Sequence, residues 1–178
     1  MKIIPDSIAP QLEVNQTGGG QWRLSDQKPE NFLMIIFYRG LHCPICKNYL
    51  EDLEPLLDTA RKKGVEVFAL SGDNRERAHE SASDWDIGDL KLGYGLTLAQ
   101  MQEWGLYISN AIKEEEPSTF SEPALFLIRP DRTVYYAAYN SMPMGRPDVK
   151  EVLEFVDFAL EEGYPARGEK TEGSRGDK

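Results

Sequence analysis

Two apolar runs on either side of a helical stripe constrain this chain most. Phe32 to Tyr38 reads Phe-Leu-Met-Ile-Ile-Phe-Tyr, and Val65 to Leu70 forms a second run of the same kind. Short, continuous apolar runs are the mark of strands buried on both faces. Between them Leu50, Leu53, Leu57 and Ala60 recur at helical spacing, one face of a helix that starts at Pro44 and ends near Gly64. Pro55 falls inside that helix and is expected to kink it or remove one hydrogen bond. A strand, a helix and a further strand require a crossover, so the pattern predicts α/β architecture with parallel neighbouring strands.

Other segments extend the plan. Leu12-Glu13-Val14 alternates, Gly18-Gly19-Gly20 turns, and Gln21-Trp22-Arg23-Leu24 resumes extended chain, which predicts a lead-in hairpin. Ser71-Gly72-Asp73-Asn74 reads as a turn and helix N-cap, followed by a polar helix over about 75–85. Lys91 to Tyr94 is a candidate short strand and Leu98 to Trp104 a short helix. Lys113 to Thr119 reads as a charged loop. Ala124–Ile128 and Thr133–Ala137 flank a turn and predict an antiparallel hairpin.

A last helix, about Asp148 to Glu162, places Val149, Val152, Leu153, Val156, Ala159 and Leu160 on its core stripe. Phe155 and Phe158 fall off that stripe, as extra core or as the face of a homodimer. Beyond Gly163 the composition is polar and glycine-rich, so one domain is expected over 1–163 and a flexible tail over 164–178.

Thirty acidic side chains against twenty basic ones give a formal charge of −10. A field of that sign repels phosphate backbones and anionic lipid, so nucleic acid and membrane surfaces are poor partners. No apolar run approaches the roughly 20 residues that span a bilayer, and the start of the chain has no apolar signal region. The expected location is cytoplasmic.

The two cysteines of the chain lie together in Cys43-Pro44-Ile45-Cys46, at the junction of a strand and a helix. Pro44 suits the first helical turn. A helix start offers unpaired N–H groups and the positive end of the helix dipole, and both stabilise a thiolate. A free thiol of pKa about 8.5 is only a few per cent ionised at neutral pH, and a pKa near 7 makes about half of it reactive. The spacing brings the second sulfur within bonding range, so a bond formed at one sulfur can be resolved by the other. The alternatives are a zinc site, for which only His42 and His79 could complete the ligands, and two inert structural cysteines. Spacing within a strand–helix unit favours a redox dithiol.

The segment Phe37-Tyr38-Arg39-Gly40-Leu41-His42-Cys43-Pro44-Ile45-Cys46 resembles the active-site segment of the peroxiredoxin-like (AhpC/TSA-type) branch of the thioredoxin superfamily. Ser71-Gly72-Asp73, Glu122-Pro123-Ala124, the stretch 141–147 and the stretch 163–169 follow in the expected order and resemble a bacterial subgroup with a Cys-x-x-Cys motif. The resemblance implies a thioredoxin-like fold, a central mixed sheet flanked by helices. Laid on the peroxiredoxin pattern, Cys46 takes the attacking position, Cys43 stands for a threonine and Arg39 for a proline. The supporting arginine falls near Pro123, which leaves Arg39 and Arg146 as candidates to replace it. Laid on the thioredoxin pattern, Pro123 becomes a cis-proline that frees the Glu122 backbone to pair with a substrate strand. The buried acid of that pattern becomes Phe37.

The combined expectation is a thiol–disulfide oxidoreductase without nucleotide, metal or other cofactor. Cys43 attacks as the more exposed sulfur, Cys46 resolves, Pro123 shapes the groove, and Pro44 and Arg39 flank the dithiol. His42 is either a cation that lowers the Cys43 pKa or a loop residue without effect. The partners are a cellular thiol reductant system and a disulfide substrate. One alternative is a thiol peroxidase acting on hydroperoxides. The other is a redox sensor with Phe155, Phe158, Met142 and Met144 as contacts.

Overall fold

The computed structural model describes residues 2–170. The lead-in hairpin is β1 (Glu13–Gln16) and β2 (Gln21–Arg23). The first apolar run is β3 (Phe32–Phe37) and the helix after the dithiol is α1 (Pro44–Leu53). Pro55 interrupts it as expected. A 3-10 turn over Glu54–Leu56 separates α1 from α2 (Leu57–Lys62), because proline lacks the N–H that would continue the ladder. Next come β4 (Val65–Leu70), α3 (Arg75–Asp84), β5 (Leu92–Tyr94), α4 (Leu98–Glu103), β6 (Ile108–Asn110), β7 (Thr119–Ser121), β8 (Ala124–Ile128), β9 (Val134–Tyr139) and α5 (Val149–Glu161).

Seven strands form one mixed sheet in the order β2-β1-β5-β4-β3-β8-β9. β3 runs parallel to β4 and antiparallel to β8, and β4 runs parallel to β5. All six residues of β3 are buried, the reason its run shows no polar alternation. Its side chains feed two cores. Phe32, Met34 and Ile36 share one face with Leu50, Leu53, Leu153, Val156 and both cysteines. Leu33, Ile35 and Phe37 share the other with Trp22, Phe68, Trp104 and Phe126. On that second face Trp22 stacks on Phe68, with ring centroids 4.1 Å apart. This is a thioredoxin-like fold with its sheet between layers of helix.

The chain leaves the sheet at the carboxyl ends of β3 and β4 through the turns at 39–43 and 71–74. Phe37 pairs with Ala124 in register, so Glu122 and Pro123 arrive at the same end. Crevices at the carboxyl ends of parallel strands are where α/β folds place their chemistry. Sequence periodicity misses the small antiparallel pair β6–β7, whose strands are three residues each. The charged stretch after Lys113 is its tip.

Helix α5 follows its predicted stripe through Val149, Leu153, Val156 and Ala159, whereas Leu160 is exposed. Phe155 and Phe158 are also exposed and gather around Tyr164 rather than joining the core. The chain stays packed past Gly163, contrary to a flexible tail starting at 164. The Tyr164 amide donates to Ala159 O at 2.9 Å, the Tyr135 hydroxyl donates to Tyr164 O at 3.0 Å, and Ala166 is buried. The rest of the predicted tail, over 171–178, lies outside the described residues. Among the described residues no helix is long and apolar enough to cross a membrane.

Ile35 is fully buried at the centre of β3. Ile35→Ala is expected to lower stability by about 2–5 kcal/mol, through lost burial and the cavity left behind. Urea unfolding followed by tryptophan fluorescence measures it.

Candidate active site

Cys43 is the N-cap of α1 and Pro44 its first residue, the position where a missing N–H costs nothing. The capping atom is a sulfur: Cys43 Sγ accepts from the Cys46 amide at 3.2 Å. The two sulfurs lie 2.7 Å apart and share a hydrogen bond. Only 2% of Cys43 and none of Cys46 is exposed, so greater exposure does not distinguish the first sulfur as expected. Ionisation does. Chiefly because the Cys46 thiol donates to it, the Cys43 pKa falls to about 7 despite burial, helped by the Cys46 amide and by Arg39 and Arg146. The Cys46 thiol, holding its proton toward Cys43 and more deeply buried, is pushed far up.

Two guanidinium groups bear on this pair. Arg39 Nε lies 3.6 Å from Glu122 Oε2 and its Nη2 3.9 Å from Glu116 Oε1, with the guanidinium 4.6 Å from the Phe120 ring centre. Arg146 stacks 3.5 Å over the Tyr49 ring and reaches toward Cys46. Tyr49 fixes the Arg146 loop by donating to Pro147 O at 2.7 Å, and Asn140 does so by donating to Gly145 O at 2.7 Å. Arg146 Nη1 is buried with no hydrogen-bond partner. Among the described residues no carboxylate lies within ion-pair distance of Arg146, whereas Arg39 is shared between two acids.

His42 is not the cation that one sequence reading allowed. Burial first, then Arg39 and Arg77, lower its pKa below the usual imidazole value, so it is neutral at pH 7. Its ring packs against Phe120 at 4.7 Å. Pro123 also departs from expectation. No described peptide bond is cis, and Pro123 is buried. The Glu122 amide donates to Tyr107 O at 2.8 Å and Asn140 donates to Pro123 O at 2.9 Å. The Glu122 amide and the Pro123 carbonyl, which a substrate strand would need, are thus already paired within the protein.

The structure therefore brings Cys43, Cys46, Arg39 and His42 together, with Pro44 exposed at the helix start and Pro123 in the wall. The sequence offered Arg146 only as a substitute arginine. It gave no sign of Asp73, Arg77, Glu116 or Phe120 as neighbours of the dithiol. His79, the other histidine, packs beside Tyr94 instead, and among the described residues no group of three or more metal-ligating side chains gathers.

Removing the Arg146 charge withdraws a group that favours the thiolate, so Arg146→Gln is expected to raise the Cys43 pKa. The alkylation rate of the wild-type protein rises with pH through about 7 and then levels off. The variant's profile shifts to higher pH, as read from iodoacetamide kinetics against pH.

The sequence profile of the AhpC/TSA family matches residues 5–137. No curated protein matched. Among solved structures, a cysteine-to-serine variant of the peroxiredoxin 6 of Arenicola marina superposes with a TM-score of 0.77 at 19% identity, covering 91% of this chain and 76% of that one. Peroxidoxin BcpB from Mycobacterium tuberculosis gives 0.70 at 16% identity, covering 88% and 97%. AhpC of the same organism gives 0.72 at 14% identity, covering 92% and 96%. At these identities the neighbours speak for the fold.

Proposed function

The chain belongs to the AhpC/TSA family, and on that premise we propose that this thiol-dependent oxidoreductase is a peroxidase that reduces hydroperoxides through the Cys43–Cys46 dithiol. The observation that carries the reading is a thiol of pKa about 7 that is almost wholly buried beside two guanidinium groups. Sulfurs this deeply buried suit a small oxidant better than a protein substrate. A protein disulfide would need an exposed sulfur and a free strand edge, and the Glu122 amide is already bonded.

The reaction proceeds in two steps. The Cys43 thiolate attacks one peroxide oxygen, an S–O bond forms, the O–O bond breaks, and the departing alkoxide takes a proton and leaves as alcohol or water. Arg146, with its unpartnered Nη1, stabilises the negative charge that builds on the oxygens. The Cys46 sulfur then attacks the sulfenic acid at Cys43, an S–S bond forms, and water leaves with the Cys46 proton. A dithiol reductant returns both thiols, supplying two electrons and two protons. Cys46, adjacent but protonated, suits the second step.

A thiol–disulfide oxidoreductase is the second reading, favoured by Ile45, which is 42% exposed beside the dithiol and could meet a docking protein. The two part in one experiment. Stopped-flow mixing of reduced protein with hydrogen peroxide is expected to oxidise the dithiol orders of magnitude faster than a free thiol, with tryptophan fluorescence and thiol loss changing together. Cys43→Ser abolishes the fast phase. Oxidation at the rate of a simple thiol would favour the disulfide reading.

A further inference from the structure

The turn that delivers Cys43 is held by a buried carboxylate, paired with a partly exposed arginine, that the peroxide chemistry leaves unused. The Asp73 side chain is fully buried. One carboxylate oxygen accepts from the Leu41 amide at 2.8 Å, the other from Arg77 Nε at 2.9 Å. The backbone passes so close that a Cβ on Gly40 would come within 2.7 Å of both oxygens, and its φ of +128° is one that L side chains rarely adopt. The Cys43 amide in turn donates to Gly40 O at 3.1 Å. Asp73 thus locks the turn and, with the same carboxylate, the Arg77 side chain.

The free arm of Arg77 then meets His42. Arg77 Nη2 lies 3.5 Å from His42 Nδ1. A guanidinium can only donate, so Nδ1 is the acceptor and the one proton of a neutral imidazole belongs on Nε2. His42 Nε2 is buried and has no partner. The charged groups facing the ring are Arg39 and Arg77 on one side of the balance and Asp73 and Glu116 on the other.

We propose that Arg77 is a positioning residue: held by Asp73, it fixes His42 as the neutral Nε2–H tautomer, so that the residue preceding Cys43 offers a free hydrogen-bond donor rather than a cation. Both simpler roles for His42, charge source and bystander, give way to this one. The thiolate is left to the hydrogen bonds and guanidinium groups already described. The Nε2–H is available to an oxygen entering the site. That last use rests on the peroxidase reading, whereas the tautomer does not.

The test is nitrogen NMR of the reduced protein in a His79→Gln background, where His42 is the sole histidine. Long-range proton–nitrogen spectra at pH 7 are expected to show Nδ1 unprotonated and Nε2 protonated, with the ring gaining its second proton only below the ordinary imidazole value. Arg77→Ala is expected to mix the tautomers, raise the His42 pKa, and shift the imidazole inflection in the pH profile of the peroxide reaction upward with it. Arg77→Lys, which can still donate, restores the wild-type pattern. A protonated Nδ1 in the wild-type background overturns the proposal even if Arg77→Ala fails to fold. Spectra of Arg77→Ala identical to the wild type overturn it as well. If the wild-type protein reacts slowly with peroxide but shows the Nε2–H signature, the peroxidase reading fails and the tautomer assignment stands.

Discussion

The site depends on a helix whose N-terminal cap is a sulfur. Most helices begin with an oxygen accepting from the first free amides. Here Cys43 takes that place, so an amide that the helix start must satisfy is satisfied by a sulfur of the dithiol. Once Cys43 is ionised, Cys46, one turn on, donates its thiol proton to the same sulfur. The two hydrogen bonds favour charge on Cys43 and oppose it on Cys46, which divides one chemically symmetric pair into a thiolate and a protonated thiol.

Placement of that cap is a matter of the sheet. β3 is buried along its whole length, so its register against β4 and β8 is fixed by packing on both faces. Its end therefore has one position relative to the turn at Asp73 and to Glu122. Around it the charges are uneven: Arg39 is balanced by Glu116 and Glu122, and Arg146 lies against only an aromatic ring and the sulfurs. On a chain of formal charge −10, the dithiol thus faces a guanidinium that no described carboxylate pairs.

What the sequence disclosed follows from the range of the forces involved. The buried strands, the interrupted helix at Pro55, the N-cap at Asn74 and the Cys43–Cys46 junction are local patterns, visible within a few residues. The Asp73 contact to Leu41 and the Arg39 contacts to Glu116 and Glu122 join segments far apart in the chain, and no periodicity records them. The strands β6 and β7 are too short and too polar to announce themselves, and they bring Phe120 to the site. Pro123 misled because a proline before a strand looks the same whether its backbone faces a substrate or, as here, is bonded inward to Asn140. The tail misled because Tyr164 and Ala166 are single apolar residues in polar surroundings, anchored by one backbone hydrogen bond and one hydroxyl.

The central claim is that the charge, and so the reaction, belongs to Cys43. The most direct measurement is to treat Cys46→Ser with one equivalent of hydrogen peroxide, trap sulfenic acid with dimedone, and locate the adduct by mass spectrometry. The account predicts a dimedone adduct on Cys43, formed rapidly at pH 7. An unmodified Cys43 in that variant, with a rapid adduct on Cys46 in the matching Cys43→Ser protein, would contradict it and return the attack to the second cysteine.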